Sequence, residues 1–185
     1  MKTRIVILTL ILLCGSANAA AKPQVVLTTS MGVITVELEA EKAPLSTKNF
    51  LEYVESGFYD NTIFHRVISY FMIQGGGMEA DMVNKPTREP IQNEASNGLK
   101  NTRGTLAMAR TGDPHSATSQ FFINVQNNSM LDKKPGNDGY AVFGKVISGM
   151  EVVDNIRFVE TGVHQGRADV PLEAVTLISA KIKAE

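Results

Sequence analysis

The sequence predicts a mainly β fold, in which many short antiparallel strands form a closed sheet accompanied by two helices. Short runs of β-branched and aromatic residues recur along most of the chain, as expected for short strands separated by turns. Only two segments place apolar residues at the spacing of a helix. With 185 residues, the chain is long enough for one full domain and short for two.

Residues 1–19 have the layout of a signal peptide. Lys2 and Arg4 provide a basic start. The apolar run Ile5–Leu13 follows and is too short for a stable membrane anchor. Small residues at Ala17–Ala19 match the spacing read by a signal peptidase, so we predict cleavage after Ala19 and no remaining anchor.

Two other interpretations of this segment remain open. The apolar run could be a buried core helix, although its terminal position favours a signal. Cys14 could carry a lipid, although a small residue is expected before a lipidated cysteine and Leu13 is large. Cleavage after Ala19 leaves residues 20–185 as a single domain without cysteine, which its core alone must stabilise.

The first elements of this domain are predicted to form a hairpin. Val25–Thr29 and Val33–Leu38 are rich in β-formers, and Ser30–Gly32 between them is a turn signal. In the second run, apolar residues alternate with Thr35 and Glu37, so we expect one face of the hairpin to be buried.

Two helices are predicted from their terminal signals and apolar spacing. The first runs from Pro44, which suits a first helical turn, to Ser56, and Gly57 is placed to end it. The second covers Glu151–Phe158, with Ser148 as its capping residue.

Further short strands alternate with polar segments. They are predicted at Ile63–Ile68, Met72–Gly75, Thr105–Met108, Phe121–Val125, Ala141–Lys145 and, as a closing strand, Val175–Lys183. The polar stretch Gly76–Arg103 is rich in Gly, Asn and Pro, and a loop of this length in a compact domain is usually functional or tightly packed on itself.

Composition and motifs exclude several classes of protein. Apolar residues make up 43% of the chain and charged residues 20%, as in soluble globular proteins, and the formal net charge of −1 gives no attraction to nucleic acid. His65, His115 and His164 are isolated, so a metal or catalytic-histidine site lacks partners at ligand spacing. Gly75–Gly77 without a following Lys-Ser/Thr pair predicts a tight turn rather than a phosphate loop.

Polar and large apolar side chains share one face on each of three strands. Alternation groups Arg66 with Phe64 and Ile68, Met72 with Gln74, and Gln120 with Phe122. An arginine among apolar residues is more often a salt-bridged structural residue than a ligand site. The two glutamine pairs favour the second interpretation, an apolar pocket with a few polar anchors.

Several blocks, in this order, resemble the cyclophilin family. They are Phe64–Ile68 leading to Phe71–Gly76, Gly104–Ala109, Ser119–Ile123 and Val142–Val146. The resemblance extends over about Val25 to Ile182, and Ala109–Asn124 is most similar to the bacterial exported branch. It implies an eight-stranded antiparallel β-barrel capped by two α-helices, a peptidyl-prolyl cis-trans isomerase activity and a periplasmic location.

The resemblance also implies a role for individual residues. Arg66 matches the catalytic arginine, and Gln74 matches the glutamine that orients arginine and substrate. The walls of the proline pocket correspond to Phe71, Met72, Phe122 and Leu131, and further groove residues correspond to Ala109, Arg110, Gln120, Met130 and Tyr140. Met130 stands where many members carry a tryptophan linked to cyclosporin binding, so we expect weak binding of that drug. Arg110 replaces a common asparagine, which leaves substrate preference open.

The reaction needs neither metal nor cofactor, because only rotation about an X-Pro bond is catalysed. The expected partners are proline-containing unfolded or partly folded polypeptides, and we expect a monomer without nucleic acid or membrane partners. Two alternatives remain. A binding module could hold proline-containing chains without turnover, and the residues alone do not exclude an unrelated barrel that carries a small ligand.

Overall fold

The computed structural model describes residues 22–184, so the predicted signal peptide at residues 1–19 lies outside the described residues. The strands of this part are β1 Gln24–Thr29, β2 Gly32–Leu38, β3 Thr62–Ile63, β4 Arg66–Ile68, β5 Met72–Gly75, β6 Thr105–Met108, β7 Phe121–Asn124, β8 Val142–Ser148, β9 Thr161–His164, β10 Arg167–Pro171 and β11 Thr176–Ile182. The α-helices are α1 Pro44–Glu55 and α2 Met150–Arg157, and Ser129–Leu131 forms a 3-10 helix.

Nine of the described strands form one antiparallel sheet, in the order β3-β11-β1-β2-β8-β6-β7-β5-β4. Strands β1 and β11 are neighbours, with Val25 opposite Ile182. The two edge strands, β3 and β4, are separated in the chain by only Phe64 and His65, so the sheet curls to bring its edges near each other. The mainly β antiparallel fold with two helices is confirmed, with nine strands rather than eight. Closure of the barrel stays a prediction.

The extra strand arises where the predicted strand Ile63–Ile68 is divided into β3 and β4. Between them Phe64 turns into the core, where its ring centroid lies 6.3 Å from that of Phe121. Arg66 is exposed at the start of β4. The predicted shared face of Phe64 and Arg66 is therefore wrong, because strand alternation does not continue through the break. Ile68 remains on the face of Arg66.

The hairpin β1–β2 confirms the predicted alternation. Its register places Val25 opposite Val36 and Leu27 opposite Ile34, and all four side chains are fully buried. The residues between them point to the other face and are only partly buried. One side of the hairpin thus forms part of the main core.

Helix α1 begins at Pro44 as predicted, and its first turn depends on the long loop for capping. The carboxylate of Glu94 accepts hydrogen bonds from the backbone N–H groups of Leu45, at 2.9 Å, and Ser46, at 2.7 Å. These bonds satisfy free donors and place a negative charge at the helix N-terminus. At the other end, Gly57 adopts a left-handed conformation with φ 66°, which terminates the helix as predicted.

The prediction that Ser148 caps the second helix is wrong. Ser148 ends β8, and Gly149, with φ 86°, precedes Met150 at the start of α2. A Cβ atom at Gly149 would clash with the carbonyl oxygen of Val33. The chain turns directly from strand to helix against β2, which requires a left-handed glycine rather than a capping serine.

The sheet separates two apolar clusters. Phe121 and Ile123 of β7 point into the main core, together with α1 and α2. Phe122 points the other way, into a smaller cluster that contains Met72 and Ala107. Because side chains alternate along a strand, a single strand contributes both to the core and to the outer face, where the candidate site lies.

The long segment Gly76–Arg103 is packed on the domain rather than extended from it. Single bridges join Met78 to Asn84 and Ile91 to Ala117. The hairpin β9–β10, which the sequence pattern does not predict, forms a separate two-stranded sheet. Strand β10 packs against β4 and so lies beside Arg66.

Candidate active site

The outer face of the sheet carries a cavity of about 620 Å³. Ten of the eleven residues predicted for the site line it. They are Arg66, Phe71, Met72, Gln74, Ala109, Arg110, Gln120, Phe122, Leu131 and Tyr140. The fold therefore brings together side chains from five separate parts of the sequence.

The strand register explains how distant residues meet on the floor of this groove. Arg66 of β4 is opposite Gln74 of β5, and Gln74 is opposite Phe122 of β7. Phe122 is in turn opposite Ala107 of β6. Directly opposed residues in antiparallel strands point to the same face, so a charged, an amide and an aromatic side chain stand in one row.

An apolar pocket lies next to this row. Met72 and Phe122 are almost completely buried, and Phe71 and Leu131 pack against them. The ring of Tyr140 stands edge-on to Phe122, with 5.7 Å between the centroids. The pocket thus offers an apolar surface, with an aromatic side, to a ligand in the groove.

The polar side of the groove carries Arg66 and two glutamines. The Nε2 atom of Gln74 donates a hydrogen bond to Oε1 of Gln120 at 2.9 Å. The Nε atom of Arg66 lies 3.7 Å from Oδ2 of Asp169 in β10, and both side chains are more than two-fifths exposed. The guanidinium is thus accessible from the groove, and the predicted orienting role of Gln74 stays a prediction.

Arg110 is held against the side of the groove where Gly139 and Tyr140 lie. Its guanidinium lies 4.4 Å from the ring centroid of Tyr140, and its Nε donates to the carbonyl oxygen of Gly139 at 3.1 Å. A second N–H group donates to the carbonyl oxygen of Thr111 at 2.9 Å. These contacts fix the arginine along the wall and stiffen Tyr140.

Comparison with known proteins shows the family of this chain. Residues 24–182 match the family described as "Cyclophilin type peptidyl-prolyl cis-trans isomerase/CLD". The chain belongs to the cyclophilin family. It is a peptidyl-prolyl cis-trans isomerase, which excludes the unrelated ligand carrier and the binding module without turnover.

Curated bacterial cyclophilins are similar over nearly their whole length. The chain is 57% identical to the peptidyl-prolyl cis-trans isomerase of Acinetobacter baylyi over 169 residues, which cover 91% of this chain and 90% of that protein. It is 55% identical to peptidyl-prolyl cis-trans isomerase B of Escherichia coli over 157 residues, covering 83% and 96%.

Solved cyclophilin structures share the fold. The crystal structure of a cyclophilin-type isomerase from Cryptosporidium parvum aligns with a TM-score of 0.73 and 29% identity, covering 89% of this chain and 99% of that one. A second structure of the same protein, in the presence of the dipeptide Ala-Pro, aligns with a TM-score of 0.72 and 29% identity, covering 88% and 99%.

One predicted site residue of this cyclophilin does not line the cavity. Met130 lies in the 3-10 helix and its side chain is exposed, whereas the next residue, Leu131, packs against the apolar cluster. Successive residues of a tight helix point in different directions, so neighbours in sequence need not share a site. Within the described residues, Leu131 therefore lines the cavity and Met130 does not.

The cyclophilin groove also contains residues that sequence reasoning missed. They are His65, Met78, Asn84, Arg167, Ala168 and Asp169. His65 lies in the break between β3 and β4, and the sequence pattern showed it only as one of three isolated histidines. The last three residues belong to β10, a five-residue strand that ends in a proline and carries no regular apolar alternation that would predict a strand.

Within residues 22–184, no group of three or more His, Cys, Asp and Glu side chains is arranged to hold a metal ion. In the same range, no helix is both long enough and apolar enough to span a membrane.

The buried imidazole of His65 predicts a pH dependence of stability. Burial lowers its pKa from 6.5 to about 4, and the positive charges of Arg167 and Arg66 add to this effect. Since the folded pKa lies below the unfolded one, protonation favours the unfolded chain as pH falls from 6.5 towards 4. We expect His65 to remove about 2–3 kcal/mol of stability between pH 7 and pH 4.5.

Urea unfolding of the wild type and His65→Gln at both pH values measures this contribution. Carboxylates titrate in the same range in both proteins, so the difference between the two pH dependences isolates the imidazole. The variant is expected to lose less stability on acidification than the wild type. Equal losses in the two proteins would contradict the assignment.

Proposed function

We propose that the groove binds X-Pro segments of unfolded or partly folded exported proteins and that Arg66 catalyses rotation about the X-Pro bond. The observation that carries this proposal is the row of Arg66, Gln74 and Phe122 beside the apolar pocket. In it, a permanently charged donor stands next to a surface suited to a proline ring.

The chemistry of the X-Pro bond explains why a charged donor beside an apolar pocket can accelerate its rotation. An X-Pro bond resists rotation because the nitrogen lone pair is shared with the carbonyl, giving a barrier of about 18–20 kcal/mol. In the twisted transition state the nitrogen becomes pyramidal and recovers its lone pair. A donor directed at that nitrogen stabilises the transition state more than either ground state, which is the requirement for catalysis.

Each side chain then has a distinct part in the proposal. The guanidinium of Arg66 donates to the proline nitrogen, and its charge does not depend on pH near neutrality. Phe71, Met72, Phe122 and Leu131 hold the proline ring and exclude water, which strengthens the hydrogen bond. Gln74, linked to Gln120, positions the peptide.

The proposals on cellular location, oligomeric state and cyclosporin binding rest mainly on the sequence. The layout of residues 1–19 supports export without a membrane anchor after cleavage, and the resemblance of Ala109–Asn124 to the bacterial exported branch supports a periplasmic destination. We also propose a monomer with weak cyclosporin binding. In support of weak binding, Met130 stands where many family members carry a tryptophan, and its exposed side chain does not line the cavity.

A refolding assay tests the proposed role in folding. The substrate is an exported protein whose slow refolding phase is limited by one X-Pro bond. Catalytic amounts of the domain, residues 20–185, are expected to accelerate that phase and leave the fast phases unchanged. An unchanged slow phase, in a preparation that still isomerises a short Ala-Pro peptide, would contradict the role in protein folding.

Cell fractionation tests the proposed location. The full chain is expected in the periplasmic fraction of a Gram-negative host, with a mature N-terminus at Ala20. A variant that lacks residues 2–19 is the matched control and is expected in the cytoplasm. Recovery of the uncleaved full chain in the cytoplasm or membrane fraction would contradict export.

A further inference from the structure

The hairpin β9–β10 forms one wall of the groove, and strand β10 is irregular where it does so. Its pairing shifts register between Arg167 and Val170, which indicates a β-bulge. Within the bulge, Asp169 adopts a left-handed conformation with φ 62°. Bulges next to active sites redirect side chains, and here three consecutive residues, Arg167–Asp169, line the cavity.

The charges on the cavity wall are unbalanced. Three arginines, Arg66, Arg110 and Arg167, face a single carboxylate, that of Asp169. The low pKa of His65 keeps that imidazole neutral near pH 7. The groove therefore carries two more positive than negative charges, although the whole chain has a formal net charge of −1. Such a local excess favours ligands of the opposite sign.

The three arginines differ in what they contact. Arg66 lies beside Asp169, and Arg110 is stacked on Tyr140 and bonded to backbone carbonyls. Within residues 22–184, the exposed side chain of Arg167 makes no hydrogen bond and no ion pair. Arg167 is thus the groove cation that can pair with a substrate without breaking an existing contact.

We propose that Arg167 is a specificity-determining residue that favours X-Pro peptides with an aspartate or glutamate close to the proline. This inference rests on the proposed binding of X-Pro segments in the groove. A peptide carboxylate would meet the guanidinium of Arg167 at the β10 wall, while the proline occupies the apolar pocket. The single wall carboxylate, on Asp169, already faces Arg66 and offers little attraction to a basic side chain.

The preference for acidic peptides should be modest, because the ion pair between Arg167 and the peptide carboxylate is exposed to solvent. Exposed ion pairs contribute modestly, so we expect kcat/KM for a glutamate-containing peptide to exceed that for its glutamine counterpart by about two- to fivefold at low salt. The ratio should fall towards one in about 0.5 M salt, because the Debye length then shortens to a few ångströms.

The experiment measures cis-trans exchange by NMR on short peptides with one Ala-Pro bond. Glutamate, glutamine or lysine is placed in turn at each position within three residues of that bond. The glutamate-to-glutamine ratio is compared in the wild type, Arg167→Gln, Arg167→Lys and Lys42→Gln. The last variant removes the same charge from an exposed residue outside the cavity.

The proposal expects a ratio above one at one or more positions in the wild type, in Arg167→Lys and in Lys42→Gln, and a ratio near one in Arg167→Gln. A ratio of one at every position in the wild type would overturn it. So would a preference that survives unchanged in Arg167→Gln. If the wild type accelerated exchange in none of the peptides, the proposed function itself would fail, which is a different and separately visible result.

Discussion

Arg66→Ala is expected to lower kcat/KM for an Ala-Pro peptide by about ten- to a few hundredfold. The variant removes one charge-assisted hydrogen bond to the proline nitrogen, which contributes about 1.5–3 kcal/mol, and each 1.36 kcal/mol corresponds to about a factor of ten. The apolar pocket remains, so a residual acceleration should persist. Arg66→Lys keeps the charge without the planar fork and is expected to give an intermediate rate.

Peptide exchange spectroscopy or a protease-coupled assay measures these rates. Arg88→Ala is a suitable control, because Arg88 is also partly exposed and ion-paired, with Glu52, but lies outside the cavity. We expect wild-type rates for Arg88→Ala. A wild-type rate for Arg66→Ala would remove Arg66 from the mechanism.

Phe121→Ala is expected to lower the free energy of unfolding by about 3–5 kcal/mol, as is usual for a fully buried aromatic residue. The ring of Phe121 is inaccessible to solvent and stands edge-on to Phe50, at 5.4 Å, and to Tyr59, at 5.6 Å. Its removal leaves a cavity at the centre of the aromatic core, which the surrounding strands cannot fill by small movements.

The adjacent residue provides a matched comparison. Phe122 is of the same type and in the same strand, but it points towards the groove, where water can occupy the space that truncation leaves. We expect Phe122→Ala to cost less stability than Phe121→Ala and to raise KM for proline peptides more. Urea unfolding and peptide kinetics on both variants test this contrast. Equal effects of the two truncations on both quantities would contradict the two-cluster arrangement.

Period-two and helical patterns were enough to predict much of the fold. The hairpin β1–β2 and helix α1 follow from alternation and from Pro44 and Gly57, because their own residues encode them. Alternation also placed Met72 with Gln74 on the groove face. Resemblance to cyclophilins then supplied the remaining groove residues that the structure brings together.

The errors share a physical cause, which is dependence on contacts distant in sequence. The turn into α2 needs Gly149 because β2 lies against it, and no local pattern reveals that neighbour. The strand break before Arg66 occurs where Phe64 enters the core. Strand β10 is short and bulged, so its position in the groove depends on packing against β4 rather than on its own periodicity.

The pairing of β1 with β11 affects how the chain can fold. Because Val25 lies opposite Ile182, the end of the sheet formed by β1, β11 and β3 is incomplete until the segment that follows all the other strands has become available. Contacts so far apart in sequence form slowly, because the loop-closure entropy must be overcome before they stabilise anything. A nascent chain that lacks β11 cannot complete its sheet. For the export proposed above, this delay is favourable, because a chain that is still unfolded can be threaded through a translocation channel.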